Sequence, residues 1–399
     1  MSTDVRKKIL LISPMLHQGG FERICVRTAR LLAPFYDVTI AIFDNADIAY
    51  DIDGLSVVNL NLPARKTVFG KAQNLLLRVR ALRQLKKRLH IDLSYSFGQT
   101  ANLANCHARA SDRIICSLRS FQDFDSPGII RTFCQKADLV ACCSRAIEEK
   151  IRTEYGCDRT ATIYNPVETP DDALHKPLDP VDPAMQEVLP AFLTGHAPLL
   201  VSMGREDEVK GFWHLLKAFA FYKTELSPEQ AAGEGKTPGL LIIGDGKFTP
   251  YKQLAADLRI SEDVCFTGAL RNPFPLLQKG SVYVLTSIME GFPNALVEAM
   301  SLGLPCIAAD CPTGPKEILA PAASEDPSGI LIPPLSAAVD LQADSLPDED
   351  IALAKQIDAL LRDPVLISTL SARAKNRAGD FSDQAYVETC REVFDAVLS

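Results

Sequence analysis

The chain has 399 residues, of which 47% are hydrophobic, and this is enough to form two domains with substantial apolar cores. No apolar run approaches the ~20 residues that a membrane-spanning helix needs. The basic N-terminus continues into a strand-like pattern, which is not typical of a signal peptide. Eleven cysteines without a C-x-x-C pair favour reduced core thiols in a cytoplasmic protein over disulfides or zinc ligands.

The net charge of −8 conceals two unlike halves. Residues 1–170 contain 24 lysines and arginines against 17 aspartates and glutamates, a balance of +7, and the rest of the chain carries −15. Such asymmetry suggests that the first half faces an anionic partner. Nucleic acid is disfavoured as that partner, because the second half is acidic and the chain has no motif that interleaves aromatic and basic residues.

The first half alternates strands and helices, as Rossmann-like α/β domains do. A strand over residues 8–13 is followed by a loop with His17, Gly19 and Gly20, and then by a helix. Further strands are predicted over residues 38–43, 56–60, 92–97, 114–118 and 139–143. Two aspartate pairs with D-x-D spacing, at 51–53 and 123–125, lack an obvious strand end before them, so we predict no metal site.

A helix predicted over residues 71–89 has one leucine-rich face and a strongly basic remainder. Its basic residues are Arg78, Arg80, Arg83, Lys86, Lys87 and Arg88. They could form an ordinary solvated face. They could also attract anionic lipid headgroups or a lipid-linked pyrophosphate, at about 1 kcal/mol for each residue near a membrane. The second interpretation predicts a peripheral protein at the inner face of the plasma membrane.

Residues 171–198 are rich in proline and aspartate and are predicted to link the two halves. The second half then begins with an apolar strand that runs into Gly204, Arg205 and, after four further residues, Lys210. Glycine permits a sharp turn at the strand end, arginine offers a two-pronged donor for phosphate oxygens, and lysine adds a mobile positive charge. The alternative is an unpaired surface arginine and lysine.

The most informative segment is a βαβ unit over residues 282–309. Its strand ends in a loop that carries Glu290, and Asn294 is the expected N-cap of the following helix, which contains Glu298. The backbone N–H groups of a helix N-terminus favour anions. A carboxylate beside a phosphate site needs another partner, and sugar hydroxyls supply paired donors. On their own, both glutamates could equally be solvated charges.

Together these segments resemble family 4 glycosyltransferases of the GT-B fold. The resemblance rests on G-G-x-E-R at 19–23, I-x-N-P-V at 163–167, G-R-x4-K-G at 204–211, G-D-G at 244–246 and E-x7-E at 290–298. It implies two Rossmann-like domains that face each other across a deep cleft. The implied organisation is an N-terminal acceptor domain (1–170), the linker (171–198), a nucleotide-sugar domain (199–380) and a C-terminal helix (381–399) that packs back on the first domain.

The resemblance also implies residue roles. Glu290 would contact the donor sugar, Glu298 the nucleotide ribose, and Arg205 and Lys210 the diphosphate. The other implied donor-binding residues are Gly19, Gly20, Gly204, Gly268, Arg271, Gly291, Phe292, Pro293, Asn294 and Ala295. Many relatives carry a histidine where this chain has Arg119, so Arg119 and His17 are the acceptor-side candidates.

The function implied is retaining transfer of a sugar from a nucleotide sugar, UDP-N-acetylhexosamine or UDP-hexose, to a lipid-linked or polysaccharide acceptor. The nucleotide sugar is a co-substrate, and no obligatory metal or other cofactor is implied. The alternatives are a nucleotide-sugar epimerase on the same scaffold and a non-catalytic sugar-nucleotide-binding protein. Retention of Arg205, Lys210 and Glu290 argues against the non-catalytic alternative.

Overall fold

The computed structural model describes residues 6–17, 19–167, 174, 183–227, 236–270, 272–320 and 326–399. The chain forms two units, Met1–Pro166 together with Asp383–Ser399, and Val167–Ser382. Each unit is built on one parallel β-sheet with helices between its strands. The α/β class predicted from the alternation of apolar strands and helices is therefore confirmed.

The sheet of the first unit has strand order β3-β2-β1-β4-β5-β6-β7, and every neighbouring pair is parallel. Residues 9–12 of its central strand are fully buried, as expected for a parallel strand covered on both faces. The strands are β1 (Lys8–Ser13), β2 (Asp37–Ile42), β3 (Ser56–Asn59), β4 (Leu93–Phe97), β5 (Arg113–Leu118), β6 (Leu139–Cys142) and β7 (Thr160–Thr162).

Helices form all of the crossovers between consecutive strands of this sheet except the one from β2 to β3. They are α1 (Gly20–Leu32), α2 (Val68–Leu89), α3 (Gln99–His107), α4 (Pro127–Lys136) and α5 (Arg145–Tyr155). Thr67 caps α2 by accepting a hydrogen bond from the Gly70 N–H at 3.1 Å. Ser144 caps α5 through the Ile147 N–H at 3.4 Å, in agreement with its predicted capping role.

The last helix of the chain, Asp383–Leu398, belongs to the first unit. Tyr386, Cys390 and Phe394 recur at four-residue spacing on one face and are buried in the core of that unit. Asp383 accepts two hydrogen bonds of 2.8 Å from the Arg27 guanidinium, and the hydroxyls of Tyr386 and Thr28 are 2.6 Å apart. Apolar burial and these polar contacts hold the two segments of the unit together.

The second unit has a six-stranded parallel sheet in the order β10-β9-β8-β11-β12-β13. Its strands are β8 (His196–Met203), β9 (Thr237–Ile243), β10 (Val264–Phe266), β11 (Val282–Leu285), β12 (Cys306–Ala309) and β13 (Ile330–Ile332). The helices are α6 (Pro183–Gly195), α7 (Phe212–Phe221), α8 (Thr249–Asp257), α9 (Phe274–Leu277), α10 (Asn294–Ser301), α11 (Pro315–Leu319), α12 (Asp348–Leu361) and α13 (Pro364–Ala378). We number the final helix, Asp383–Leu398, α14.

The second part of the predicted linker, residues 171–198, contains a helix and the start of β8. Of residues 168–182, only Leu174 is described. Residues 183–195 form α6, and β8 begins at His196, three residues before the predicted strand. Leu189 and Phe192 of α6 are buried, so this segment contributes apolar surface to the second unit.

Candidate functional site

The carboxyl edge of the second sheet brings together the loops that follow β8, β9 and β11. The chain adds β9 and β10 on one side of β8 and then starts β11 on the other side. Such a reversal of strand order leaves a crevice at the carboxyl ends of the two central strands, where ligands bind in open α/β sheets. The loops at this point contain the motifs at 204–211 and 290–298.

The loops after β8 and β9 are interlocked by short contacts. Gly244 has φ +158°, and a Cβ atom there would lie 1.9 Å from the carbonyl oxygen of Gly204, so only glycine fits. The Glu206 N–H donates to the Asp245 carbonyl at 2.7 Å, and the Glu206 carboxylate accepts from the Phe248 N–H at 2.8 Å. The G-D-G turn therefore positions the loop that carries Arg205 and Lys210.

Lys210 and Glu290 are in direct contact. The Lys210 Nζ lies 2.7 Å from Glu290 Oε1, and both side chains are mostly buried. Ser287 Oγ donates to the same carboxylate oxygen at 2.7 Å. Thr286 Oγ1 donates to the Lys210 carbonyl at 3.0 Å, and Thr313 Oγ1 donates to the Glu290 carbonyl. Both the charged side chains and the backbone of the two motifs are thus fixed relative to each other.

Arg205 lies on the same loop but has a different partner. Its Nε and Nη2 donate to one carboxylate oxygen of Asp207 at 3.0 and 2.8 Å. The side chain is 66% exposed, so its guanidinium is accessible to solvent. Asp207 also caps the short turn Glu208–Lys210 by accepting from the Val209 N–H at 3.2 Å. The structure therefore places Arg205 near the turn that ends at Lys210, held by Asp207.

Helix α10 begins at Asn294, one residue earlier than predicted. Pro293 occupies the N-cap position, and no side chain caps this helix. The expectation that Asn294 is the N-cap is therefore wrong, because Asn294 is already the first residue of the helix and Pro293, with φ −76° and ψ 85°, precedes it. The Leu296 and Val297 N–H groups both donate to the Pro293 carbonyl, at 3.0 and 3.4 Å.

Glu298 lies about one turn into α10 and is only 2% exposed. A carboxylate that is almost fully buried is costly unless hydrogen bonds compensate for lost hydration. The side chain therefore has a constrained position in the unit, unlike a solvated charge on a helix surface. That observation removes the surface interpretation of this residue.

The loop before α10 is fixed by close packing. Gly314 has φ +97°, and a Cβ atom there would lie 2.5 Å from Cδ of Pro293. Phe292 is buried and packs edge-to-face on Phe381, with ring centroids 5.3 Å apart. Gly291 and Ala295 flank this rigid turn. The backbone that we expect to face a phosphate is consequently preorganised.

Gly268 follows β10 at the same edge of the sheet. It adopts φ +73°, in the left-handed region, and its carbonyl accepts from the Gly244 N–H at 3.1 Å. The predicted contact Arg271 lies outside the described residues.

In the first unit, the loop after β1 presents the paired glycines. A Cβ atom at Gly19 would lie 2.3 Å from a carboxylate oxygen of Glu22, whereas Gly20 has open space around it. The Tyr50 hydroxyl accepts from the Gly19 N–H at 2.8 Å and donates to the Gly19 carbonyl at 2.6 Å. His17 precedes them and is exposed. The glycine pair is therefore anchored at residue 19 and accessible at residue 20.

Arg119 has internal partners in the first unit. Its Nη1 donates to Asn165 Oδ1 at 2.5 Å and its Nη2 donates to the Tyr95 hydroxyl at 2.8 Å. The guanidinium also lies over the Phe97 ring, 5.1 Å from its centroid. These contacts tie the end of β5 to the N-P-V segment. They give Arg119 a structural role, and its acceptor-side role remains a prediction.

The structure contradicts part of the basic surface predicted on α2. Arg78 is buried, donates through Nε and Nη2 to the Leu62 carbonyl at 3.0 and 2.6 Å, and lies 4.3 Å from the Phe43 ring centroid. Lys86 is also buried and pairs with Asp112 at 2.8 Å. Periodicity assigned both to a solvated face, but internal acceptors draw these long side chains inward.

The exposed members of that set are Arg80, Arg83, Lys87 and Arg88. Arg83 donates to the His107 carbonyl at 2.7 Å.

Several residues that position the candidate groups were not predicted from the sequence. Ser287, Thr313 and Asp207 contact Glu290 and Arg205 directly, and Tyr50 holds Gly19. Ser287 stands two residues after the end of β11 and three before Glu290, so its place at a strand end was a usable signal. Thr313 meets the Glu290 carbonyl in the second unit and Tyr50 meets Gly19 in the first only after each unit has folded.

Comparison with known proteins identifies the class. A family model described as Glycosyltransferase Family 4 matches residues 18–170, and one described as Glycosyl transferases group 1 matches residues 192–378. The structure superposes on the Anabaena protein HepE, solved in complex with UDP and glucose, with a TM-score of 0.73 at 18% identity. That match covers 98% of this chain and 100% of the other. The molecule has the GT-B fold of nucleotide-sugar-dependent enzymes.

The chain belongs to the family 4 glycosyltransferases. It is 30% identical over 213 residues to an uncharacterised glycosyltransferase of Methanocaldococcus jannaschii, and the alignment covers half of each chain. It is 24% identical over 383 residues, 94% of each chain, to a Campylobacter jejuni α-1,4-N-acetyl-D-galactosaminyltransferase. The name of that relative specifies a diphospho-undecaprenol-linked GalNAc-GalNAc-diNAcBac acceptor. Within the described residues, no helix combines the length and apolar character that crossing a bilayer demands.

Proposed function

We propose that this protein transfers a sugar from UDP-N-acetylhexosamine or UDP-hexose to a lipid-linked or polysaccharide acceptor, with retention of the anomeric configuration. The observation that carries the proposal is the contact between Lys210 and Glu290, 2.7 Å apart at the carboxyl edge of the second sheet. This contact joins Lys210, a candidate to bind the diphosphate, to Glu290, a candidate to bind the donor sugar. The Campylobacter relative, whose name specifies an N-acetylgalactosaminyl donor and a lipid-linked acceptor, supports the substrate class.

In the proposed reaction, cationic groups stabilise the leaving nucleoside diphosphate. The bond between the anomeric carbon and the diphosphate oxygen breaks, and negative charge develops on that oxygen. Arg205, Lys210 and the N–H groups of the turn at 291–295 are the candidate stabilising groups. Preorganised cations and amides lower the barrier without reorganisation at the moment of reaction.

Glu290 is the proposed anchor of the donor sugar. Its Oε1 accepts hydrogen bonds from Lys210 and Ser287, and a carboxylate has further acceptor positions for sugar hydroxyls. Glu298, buried in α10, is the proposed acceptor for the ribose hydroxyls.

Retention is proposed to occur by transfer on one face of the sugar. The acceptor oxygen forms its bond to the anomeric carbon on the side from which the diphosphate leaves, and the acceptor proton passes to a leaving phosphate oxygen. A double displacement would need a carboxylate nucleophile on the opposite face of the sugar. Glu290 is unsuited to act as that nucleophile, because Lys210 already holds its carboxylate and we assign it as the acceptor for the sugar hydroxyls.

The proposal includes a membrane contact of the first unit. The contact surface is an exposed apolar patch on α2 with the exposed cations around it, and not the whole basic face of that helix. Val68 and Phe69, in the first turn of α2, are 85% and 82% exposed, and Leu76 is 62% exposed. Exposed cations flank them at Arg65, Lys66, Lys71 and Arg80. Apolar side chains bordered by lysine and arginine fit the interface of an anionic bilayer, where a lipid-linked acceptor resides.

The test of the central proposal begins with donor binding. The free energy of unfolding should rise by about 2.7 kcal/mol when a cognate nucleotide sugar is present at ~100 times its Kd. A panel of UDP-, GDP- and CMP-sugars, each compared with its free nucleotide, would identify the donor. Stabilisation by several UDP-sugars or by UDP alone supports the class, and stabilisation by none contradicts it.

Transfer itself is measured with the donor so identified and a polyprenyl diphosphate-linked sugar. The product should carry the donor sugar in the anomeric configuration of the donor, as read by NMR. Glu290→Gln and Arg205→Ala variants should both lose most transfer activity. Epimerised nucleotide sugar without transfer would support the epimerase, and binding without any turnover would support the non-catalytic alternative.

A further inference from the structure

A cavity of about 460 Å³ lies on the first unit between the ends of α4 and α5. Its lining includes two cysteines, Cys134 and Cys157, and two arginines, Arg131 and Arg159. None of these residues belongs to the motifs or contacts described above for sugar transfer.

The local fold brings the two cysteines to the same cavity. Cys134 lies in the last turn of α4, three residues after Arg131, so both side chains share one face of that helix. Gly156 ends α5 with φ +61° and turns the chain so that Cys157 follows at once. The Arg159 guanidinium donates to the Cys134 carbonyl at 2.7 Å and ties the two segments together.

Cys134 and Cys157 differ from the other thiols of the chain. All eleven cysteines are free; Cys134 is partly exposed, and Cys157 is buried but keeps 5% of its surface accessible in the cavity wall. Another pair, Cys106 and Cys116, has its sulfur atoms 3.3 Å apart, but both lie in the interior of the unit. Cys134 and Cys157 differ from that pair because both line a cavity.

The environment of Cys157 favours its thiolate. A hydrogen bond from the Cys134 thiol, opposed by burial and supported by Arg159, lowers the pKa of Cys157 to about 7. The pKa of Cys134 is raised, first by its role as the donor in that hydrogen bond. Burial instead raises the pKa of Cys265 to about 11 and that of Cys390 to about 12. A thiolate beside a thiol is the arrangement that thiol–disulfide exchange needs.

We propose that Cys134 and Cys157 form a reactive dithiol that exchanges with small disulfides carrying carboxylate groups. The cavity gives such a disulfide access to both sulfur atoms, and Arg131 and Arg159 provide cations for its carboxylates. The site lies outside the sugar-transfer motifs and does not depend on the proposed function.

The exchange proceeds in two steps. The Cys157 thiolate attacks one sulfur of the external disulfide, forms a mixed disulfide and releases one thiolate. As the Cys134 sulfur attacks the Cys157 sulfur, its proton passes to the departing second half of the reagent, which leaves as a thiol. The thiolate released in the first step takes up the proton that Cys157 lost when it ionised. Two protein thiols and one external disulfide thus become one intramolecular disulfide and two small thiols.

The experiment uses the full chain, fully reduced, with glutathione disulfide as the probe. Non-reducing peptide mapping should find a Cys134–Cys157 cross-link, and the free thiol count should fall from eleven to nine. Alkylation of Cys157 by iodoacetamide should depend on pH with a midpoint near 7. An uncross-linked protein after prolonged exposure, or a Cys157 midpoint above the ~8.5 of free cysteine, would overturn the proposal.

Substitution of each cysteine in turn shows which thiol acts in each step. Cys134→Ser should stop at a stable mixed disulfide on Cys157, and Cys157→Ser should form neither product. Cys106→Ser, in the buried pair, is the matched control and should cross-link at the rate of the unmodified protein. A mixed disulfide on Cys134 in the Cys157→Ser protein, formed at that same rate, would show that Cys157 is not the attacking thiol.

The recognition of charge is tested with two disulfides of opposite sign. Arg131→Gln should slow exchange with glutathione disulfide about tenfold, a loss typical of one charge-assisted contact, and leave exchange with the cationic cystamine undiminished. Equal slowing with both reagents would contradict the cationic recognition. Each variant is compared by its thermal unfolding temperature so that altered rates are not attributed to a loss of fold.

Discussion

Lys210 and Glu290 are 80 positions apart in the chain, yet their side chains are 2.7 Å apart. Each follows a different central strand of the second sheet, and the parallel pairing of β8 with β11 brings the two strand ends to one edge. The ion pair is mostly buried, so its attraction is screened less than that of a surface pair. A diphosphate that binds beside Lys210 would place its negative charge next to a cation that Glu290 already holds in position.

Replacing Lys210 by Met should reduce kcat by about 10²–10³, because a fixed positive charge near the leaving group is lost. The measurement is steady-state transfer with the donor found in the binding panel. Lys279, exposed in the turn after α9, offers the matched control. Lys279→Met should retain normal turnover, and an equal loss in both variants would argue against a local role for Lys210.

Replacing Glu298 by Gln should weaken nucleotide binding about tenfold or more, since a hydrogen bond to a charged acceptor contributes about 1.5–3 kcal/mol. The expected effect falls on the Kd for UDP as well as for the UDP-sugar, because the proposed contact is to the ribose. Isothermal titration with both ligands measures it. Normal UDP affinity with weakened binding of the UDP-sugar would instead assign Glu298 to the sugar.

Lys86→Met should destabilise the protein by about 3–5 kcal/mol, because it leaves the buried Asp112 carboxylate without its charged partner. Lys87→Met, at the next position but exposed, should change stability by less than about 0.5 kcal/mol. Urea unfolding of both variants gives the comparison. Similar values for the two would contradict the burial of the Lys86–Asp112 pair.

Stability should fall as the pH rises through the titration of His214. Burial opposes the imidazolium, but hydrogen bonds to Asp350 at 2.6 Å and to the Ser336 carbonyl at 3.0 Å, together with Glu349, raise the pKa of His214 above its ordinary 6.5. The folded state then binds the proton more tightly than the unfolded chain does. This stabilisation is complete below pH 6.5 and is lost as the pH rises through the folded-state pKa.

Urea unfolding at a series of pH values from 5.5 to about 9 tests this expectation, and the range brackets the ordinary histidine titration. His214→Gln should flatten the decline on the alkaline side. His17→Gln, which removes an exposed histidine, should leave the profile unchanged. A profile that keeps its slope in the His214 variant would assign the pH dependence to other groups.

The double substitution of Val68 and Phe69 by Ser should weaken binding to anionic vesicles tenfold or more, since burial of such side chains contributes about 1.5–3 kcal/mol each. Vesicles of phosphatidylglycerol and phosphatidylcholine, with co-sedimentation at fixed ionic strength, measure the bound fraction. Val365→Ser is the matched control, because Val365 is 76% exposed in the second unit. Unchanged binding of the double variant would remove the proposed membrane contact.

The strands and most helices could be predicted from the sequence because each depends on a short local pattern. The bounds Lys8–Ser13 and Val282–Leu285 agree with those expected, since continuous apolar runs between turn residues are typical of buried parallel strands. Helix α2 begins three residues earlier than predicted, where Thr67 supplies a cap. The motifs at 204–211 and 290–298 were likewise readable, because their residue types and spacing are local.

The partners of long polar side chains depended on the tertiary structure. Arg78 and Lys86 look like surface residues on a helix of mixed character, but acceptors from Leu62 and Asp112 lie within reach only after the chain has folded. The same applies to Thr313, which reaches Glu290 from beyond the next strand.

The sequence by itself determined the family, the alternation of strands and helices, and the chemical types of the candidate groups. The fold decided that Lys210 pairs with Glu290, that Arg205 is held by Asp207, and that Glu298 is buried. The physical reason is the range of the interactions: backbone propensity and apolar periodicity act over a few neighbouring residues, whereas ion pairs and hydrogen bonds form between any groups that the packed strands bring within about 3 Å.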